Sequence, residues 1–286
     1  MPGWQRGDSV QTARADSASH SLCGRPADVG AKLSMVLTLD RVVYRGLLGK
    51  PAVRSLGALA IYVALESSFS IIVDAAPDRG RRLAVVEPNV PHIISSPDRV
   101  IGVLLIEPEC VGSKELQQLT ALIGSPGAQE RLVRAFHEIG TAVHGSEHTS
   151  PAIDSLFLGE TLAPRRLDRR VELAIRGIRA RPWEHFAAAS CARLAGLSFT
   201  RFVHLFKEEI GMTFRAYCAW KRARALLQHV SSDCNLTDLA MQTGYPDSTH
   251  FSHSIRRIYG LRPKDIVSGS RRLAVVADPC AADLDR

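Results

Sequence analysis

Ala192-Arg-Leu-Ala-Gly196 and Ala240-Met-Gln-Thr-Gly244 are two copies of one pattern: a small residue four positions before a glycine, closing an alanine-rich stretch and followed by an amphipathic run. A small residue lets two helices approach across a tight turn, and glycine takes the φ > 0 conformation of that turn at low cost. This is the sequence form of a helix-turn-helix. One copy would be weak, because alanine and glycine are common in helices and their caps. Two copies, whose glycines at 196 and 244 lie 48 residues apart, are hard to ascribe to core packing alone.

Each copy continues in the same way. After Gly196, Ser198 is a suitable N-cap, and Phe199–Lys207 places Phe202, Leu205 and Phe206 on one helical face. Thr200, Arg201, Val203, His204 and Lys207 are left on the other face, where arginine and histidine can meet guanine acceptors and threonine or valine a thymine methyl. In the second copy Asp247 caps a helix that turns Phe251, Ile255 and Ile258 inward and Ser248, Thr249, Ser252, His253 and Arg256 outward. Gly260-Leu-Arg-Pro263 ends it. Between the copies, a helix from Thr213 to about Val230 carries Phe214, Tyr217, Trp220, Ala223 and Leu227 on one broad face, so it can dock both halves. Recognition helices held about 34 Å apart would enter successive major grooves.

The run Gly244-Tyr-Pro-Asp-Ser-Thr-His-Phe-Ser-His-Ser-Ile-Arg-Arg-Ile-Tyr-Gly-Leu-Arg-Pro263 resembles the signature of the AraC/XylS family of bacterial transcription regulators. The stretch from Ala192 through Phe202 to Gly211 is similar to that family's first helix-turn-helix. The resemblance covers about 100 residues and implies a seven-helix DNA-binding domain behind a cupin-like sensing domain. Three positions depart from the family pattern. His204 and His253 stand where arginine is usual, and Ile255 where an aromatic is usual. Histidine is largely neutral near pH 7, so both helices are expected to bind more weakly or with different preference.

Charge agrees with a nucleic-acid partner. Residues 165–272 hold 20 Lys/Arg against 9 Asp/Glu, a balance of +11, whereas the rest of the chain is at −4 within a total of +7. Basicity confined to the segment with the repeats attracts a phosphate backbone. The 286 residues favour about two domains. No run approaches the roughly 20 apolar residues of a membrane span, and the start Met1-Pro-Gly-Trp-Gln-Arg lacks the apolar core of a secretory signal, so a cytoplasmic protein is expected. Six cysteines at 23, 110, 191, 218, 234 and 280 show no metal spacing and read as reduced packing residues.

The expected architecture is α+β. Residues 1–33 read as a disordered tail, and 34–144 as a cupin-like barrel or sandwich followed by two helices, Ser113–Ile123 and Pro126–Ile139. Residues 145–166 read as a linker with at most a short turn around Asp154–Gly159, 167–270 as the all-α DNA-binding domain, and 271–286 as a flexible tail. Within the β-domain Tyr62 and His92 are the candidate effector-binding residues, with Val63, Leu65 and Ile72 as further lining; the same apolar positions are also the expected core. His92 lacks the His-x-His partner of a metal-using cupin, so no metal and no cofactor are expected. No catalytic set, P-loop or dinucleotide fingerprint occurs, which places the alternative, a cupin-type enzyme or a non-sensing interaction module fused to a DNA-binding domain, second to a regulator that senses an effector. The expected partners are duplex DNA, a small-molecule effector, a second copy of the chain, and RNA polymerase if the protein activates.

Overall fold

The computed structural model describes residues 33–98, 100–141, 148–229, 236–270 and 273–277. Apart from Leu33, the expected N-terminal tail lies outside them. The β-domain is built from β1 (Ser34–Leu37), β2 (Arg41–Leu47), β3 (Leu59–Val63), β4 (Phe69–Val73), β5 (Ala76–Arg81), β6 (Leu83–Val86), β7 (His92–Ser95) and β8 (Val100–Ile106). A final strand, β9 (Ala274–Ala277), returns from the far end of the chain. The large sheet runs β6-β3-β8-β2-β1-β9 and faces a small one, β5-β4-β7. Pairing is antiparallel throughout except where β9 adds in parallel to β1.

The large sheet is buried on both faces, so its strands read as unbroken apolar runs and not as alternation. Along β8, Ile101, Val103 and Leu105 face the small sheet, whereas Leu104 and Ile106 face a helical layer. That layer is α1 (Ser113–Gly124), α2 (Ala128–Thr141) and α3 (Ser150–Leu158). Leu119, Leu132, Phe136, Ile153 and Phe157 fill it. The two helices expected after the β-domain therefore pack within the chain. Gly102 is required beneath them, since a Cβ there would lie 2.6 Å from the Phe136 ring.

Two expected segments differ from the reading above. The presumed linker contains α3, a nine-residue helix capped by Thr149 and ended by Gly159, with Ile153, Asp154, Phe157 and Leu158 buried. Its anchor is polar: Arg41 Nε and Nη2 donate to Asp154 Oδ1 and Oδ2, both at 2.8 Å, from side chains at most 4% exposed. The presumed flexible tail contains β9, whose Ala274 N donates to Leu33 O.

Seven helices make the C-terminal domain: α4 (Arg169–Ala180), α5 (Ala188–Leu194), α6 (Phe199–Ile210), α7 (Phe214–Ala225), α8 (Leu236–Gln242), α9 (Ser248–Tyr259) and α10 (Pro263–Ser270). Helix α7 is shorter than its sequence indicated, giving way to a 3₁₀ turn at Leu226–Gln228. Its first half shares a core with α4, α5 and α6, through Phe202, Phe206, Phe214 and Tyr217. Its second half, with Trp220 and Ala223, together with Leu226 of the 3₁₀ turn, joins Leu239, Ala240, Phe251 and Ile255 and also the inner face of the β-sheets. One apolar core thus crosses from the β-domain into the second helix-turn-helix.

Candidate nucleic-acid interface

The two helix-turn-helix units are closed by the same hydrogen bonds. Leu197 N donates to Ala192 O and Gly196 N to Arg193 O; 48 residues later Tyr245 N donates to Ala240 O and Gly244 N to Met241 O. This is the Schellman arrangement, which needs a left-handed residue at the glycine position. Gly196 and Gly244 supply it with φ of 65° and 72°. The alanines that open each pattern are buried, as close helix approach requires. Ser198 Oγ then accepts from Arg201 N at 3.3 Å, and Asp247 Oδ1 accepts from Thr249 N and His250 N at 2.8 Å each. Those bonds and the His250 side chain hold the Asp247 carboxyl below its ordinary range.

With both helices capped, their outer faces follow. Thr200, Arg201, His204 and Lys207 on α6 and Ser248, Thr249, Ser252, His253 and Arg256 on α9 are all exposed. Val203 is the exception. It is only half-exposed and packs against the core of the first unit, so its place in the chain puts it at the edge of the outward face.

The ends of the two helices converge on a cleft of about 800 Å³, bounded by Lys207, Met212 and Thr213 on one side and by His253, Arg256 and Arg257 on the other. Val53, Ser55, Asn89 and Pro91, from two loops of the β-domain, form its third wall. Arg257 was not among the sequence candidates. Its signal was present, because 253, 256 and 257 fall on one helical stripe. The β-domain loops carried no such signal, since nothing local tells a loop which helix it will meet.

The spacing of the two units depends on α7, and α7 is fixed to the β-domain by buried charge. Lys221 Nζ donates to Glu107 and, at 2.7 Å, to Glu109 Oε1; Trp220 Nε1 donates to Glu107 Oε2 at 2.9 Å; Arg224 Nε lies 2.7 Å from Glu107 Oε1. Arg224 also donates to Thr38 O. Burial alone would raise the Glu107 carboxyl, but Lys221 and Arg224 outweigh it and hold it below its ordinary value.

The candidate effector residues lie inside the sandwich and touch each other. His92 Nδ1 donates to Val90 O at 2.8 Å, so Nε2 accepts the Tyr62 hydroxyl at 2.7 Å. Both are at most 2% exposed. Burial keeps the imidazole neutral and pushes the Tyr62 phenol up to about 12. Val63 and Leu65 do not join them. Strand alternation turns both to the other face of the sheet, against the helices. Among the described residues no three His, Cys, Asp or Glu side chains are grouped to hold a metal. No described helix is long and apolar enough to cross a membrane.

Residues 191–268 match the family described as a helix-turn-helix domain. The transcriptional activator RhaS of Klebsiella pneumoniae is 37% identical over 93 residues, 30% of this chain and 33% of that protein. The invasion protein InvF of Salmonella typhi is 32% identical over 72 residues, 25% of this chain and 33% of InvF. This chain carries an AraC-type DNA-binding domain. The match spans a third of the length of these relatives. Over the larger part of the molecule, the crystal structure of ToxT from Vibrio cholerae O395 superposes with a TM-score of 0.52 at 11% identity, covering 80% of this chain and 96% of that one. That likeness shows a shared fold, which in this chain is a β-domain followed by a helical one.

Proposed function

We propose that the protein is a sequence-specific transcriptional regulator whose paired helix-turn-helix units read two successive major grooves of one operator and whose β-domain receives a small-molecule effector. The observation that carries this reading is the pair of helix-turn-helix units closed by the same hydrogen bonds, each leaving the outer face of its second helix exposed. In this reading, Thr200, Arg201 and His204 of α6 and Ser248, Thr249, Ser252, His253 and Arg256 of α9 approach base edges, and Lys207 approaches a phosphate. Tyr62 and His92 are the effector residues. A second copy and RNA polymerase are the protein partners that such a regulator would use on DNA.

The test is an electrophoretic shift of the full-length protein with its own promoter region and with unrelated duplex. A preference for the former, falling steeply as salt rises, is the expected result. A folded protein that retards no DNA at low salt would remove the proposal.

A further inference from the structure

Among the described residues, four cations are less than a tenth exposed: Arg41, Arg54, Lys221 and Arg224. Three of them face carboxylates, Arg41 with Asp154 and Lys221 and Arg224 with Glu107. Arg54 does not. At 7% exposure its guanidinium lies against the Tyr62 hydroxyl, but Nε and Nη2 find no hydrogen-bond partner and no described carboxylate pairs with it. A guanidinium taken out of water without a counter-charge is costly, and folds retain one where something else supplies the charge.

The surroundings indicate what that is. Tyr44, Val103, Tyr62 and Ala84 lie side by side across β2, β8, β3 and β6, on the face of the large sheet that looks into the sandwich. His92 stands opposite, and Arg54 is joined to it by a pair of backbone hydrogen bonds, Arg54 N to His92 O at 2.9 Å and His92 N to Arg54 O at 3.0 Å. The neighbours of Tyr62 on the inner face of its strand are small, Ala60 and Ala64. Tyr44, Val73, Ala84 and Val90 are only half-buried, so solvent reaches this end of the inner face. The two idle nitrogens of Arg54 form one side of the guanidinium fork. They are the same two atoms through which Arg41 grips Asp154.

We propose that Arg54 receives the carboxylate of a small organic acid that enters between the sheets, with Tyr62 and His92 beside it and an apolar body against Val103 and the alanines. A planar two-oxygen anion matches the free Nε and Nη2 edge. This rests on the reading of the β-domain as the effector domain and adds the class of effector. It also supplies a route to the DNA-binding domain. Ser55 N, next along the chain, donates to Arg257 O and Ile258 O at the end of α9, and the α9 cap Gly260 sits against Ala52 O, Val53 O and the Arg54 Cβ. An acid that moves Arg54 therefore acts directly on the second recognition helix.

The experiment titrates the full-length protein with octanoate and benzoate, and with octanol and benzamide as uncharged counterparts, by calorimetry at millimolar concentration. Arg54→Met and Arg54→Lys, each confirmed as folded by circular dichroism, are titrated alongside. We expect at least one acid to bind the natural protein, about tenfold or more weaker binding to Arg54→Met, partial retention in Arg54→Lys, and no comparable binding of the uncharged pair. Binding of acid and amide or alcohol with equal affinity, or unchanged acid binding to Arg54→Met, would overturn the anion assignment and leave a sensing β-domain standing. Saturable binding of neither acid to the natural protein overturns the assignment as well. Acid binding through Arg54 that leaves the operator shift unaltered would uphold the site and remove its sensing role.

Discussion

At the scale of single residues, the two turn glycines are equivalent in sequence and unequal in surroundings. A Cβ on Gly196 meets nothing within 4 Å, whereas one on Gly244 would lie 1.9 Å from Trp183 O, a backbone atom that cannot swing away. Gly196→Ala is expected to cost about 1–2 kcal/mol, the strain of a left-handed alanine. Gly244→Ala is expected to cost about 3–5 kcal/mol, because the collision adds to the strain. Urea denaturation of the two variants decides it; equal losses would show that the contact with Trp183 relaxes freely. On α6, Arg201 lies in the first turn and Lys207 nearer the helix end. Arg201→Ala should lose roughly 1–3 kcal/mol of binding and relax sequence preference, whereas Lys207→Ala should weaken all DNA alike and lower the salt slope by about one. Selection from a randomised operator library separates these outcomes, and an unchanged consensus for Arg201→Ala would move base reading to Thr200 and His204. His92 makes a prediction about pH. Its imidazole titrates below the ordinary 6.5 when folded, so the unfolded chain takes up the proton first as pH falls. Its contribution is complete above about 6.5 and shrinks below it. His92→Gln should flatten thermal stability over that interval, and a slope equal to that of the natural protein would assign it to other groups.

At the scale of elements, α3 is held on β2 by the buried Arg41–Asp154 fork. Asp154→Leu leaves the buried Arg41 fork unmatched, with Asp40 at 3.3 Å from Nη1 as its remaining counter-charge, and should cost about 3 kcal/mol, while Arg41→Met with Asp154→Leu should recover most of the loss. A double-mutant cycle by chemical denaturation measures the difference; equal damage in single and double variants would mean that packing, not charge, seats α3. Elements of this kind also mark how far the sequence could be read. Both helix-turn-helix units were legible because caps, glycine turns and the 3.6-residue period are local signals. So were α1 and α2. Strand β5, Ala76–Arg81, was not: all six of its residues are exposed, and it is a strand only because β4 lies beside it. Strand β7 hides behind Pro91, and α3 and β9 looked like linker and tail because their partners, β2 and β1, are distant in the chain. Tyr62 and His92 could be singled out by residue type, but Arg54 could not, since the absence of a counter-charge is a property of the folded interior.

At the scale of the whole molecule, the core that runs from the sheets through Trp220 and Leu226 to Phe251 leaves little room for independent domains. Calorimetry should therefore show the β-domain and the second helix-turn-helix melting together in one transition. Lys221→Met leaves Glu107 and Glu109 buried without their shared cation and should cost about 3–5 kcal/mol, acting on both domains at once. Two separate transitions in the natural protein would contradict a common core. Strand β9 extends this unity to the order of synthesis. Strand β1 leaves the ribosome early, yet its outer edge is paired only when β9 appears, after nearly all the described chain has been made. Until then a nascent chain carries an open sheet edge, the feature that most readily recruits other unfinished chains. The arrival of β9, and not the folding of the β-domain by itself, closes that edge.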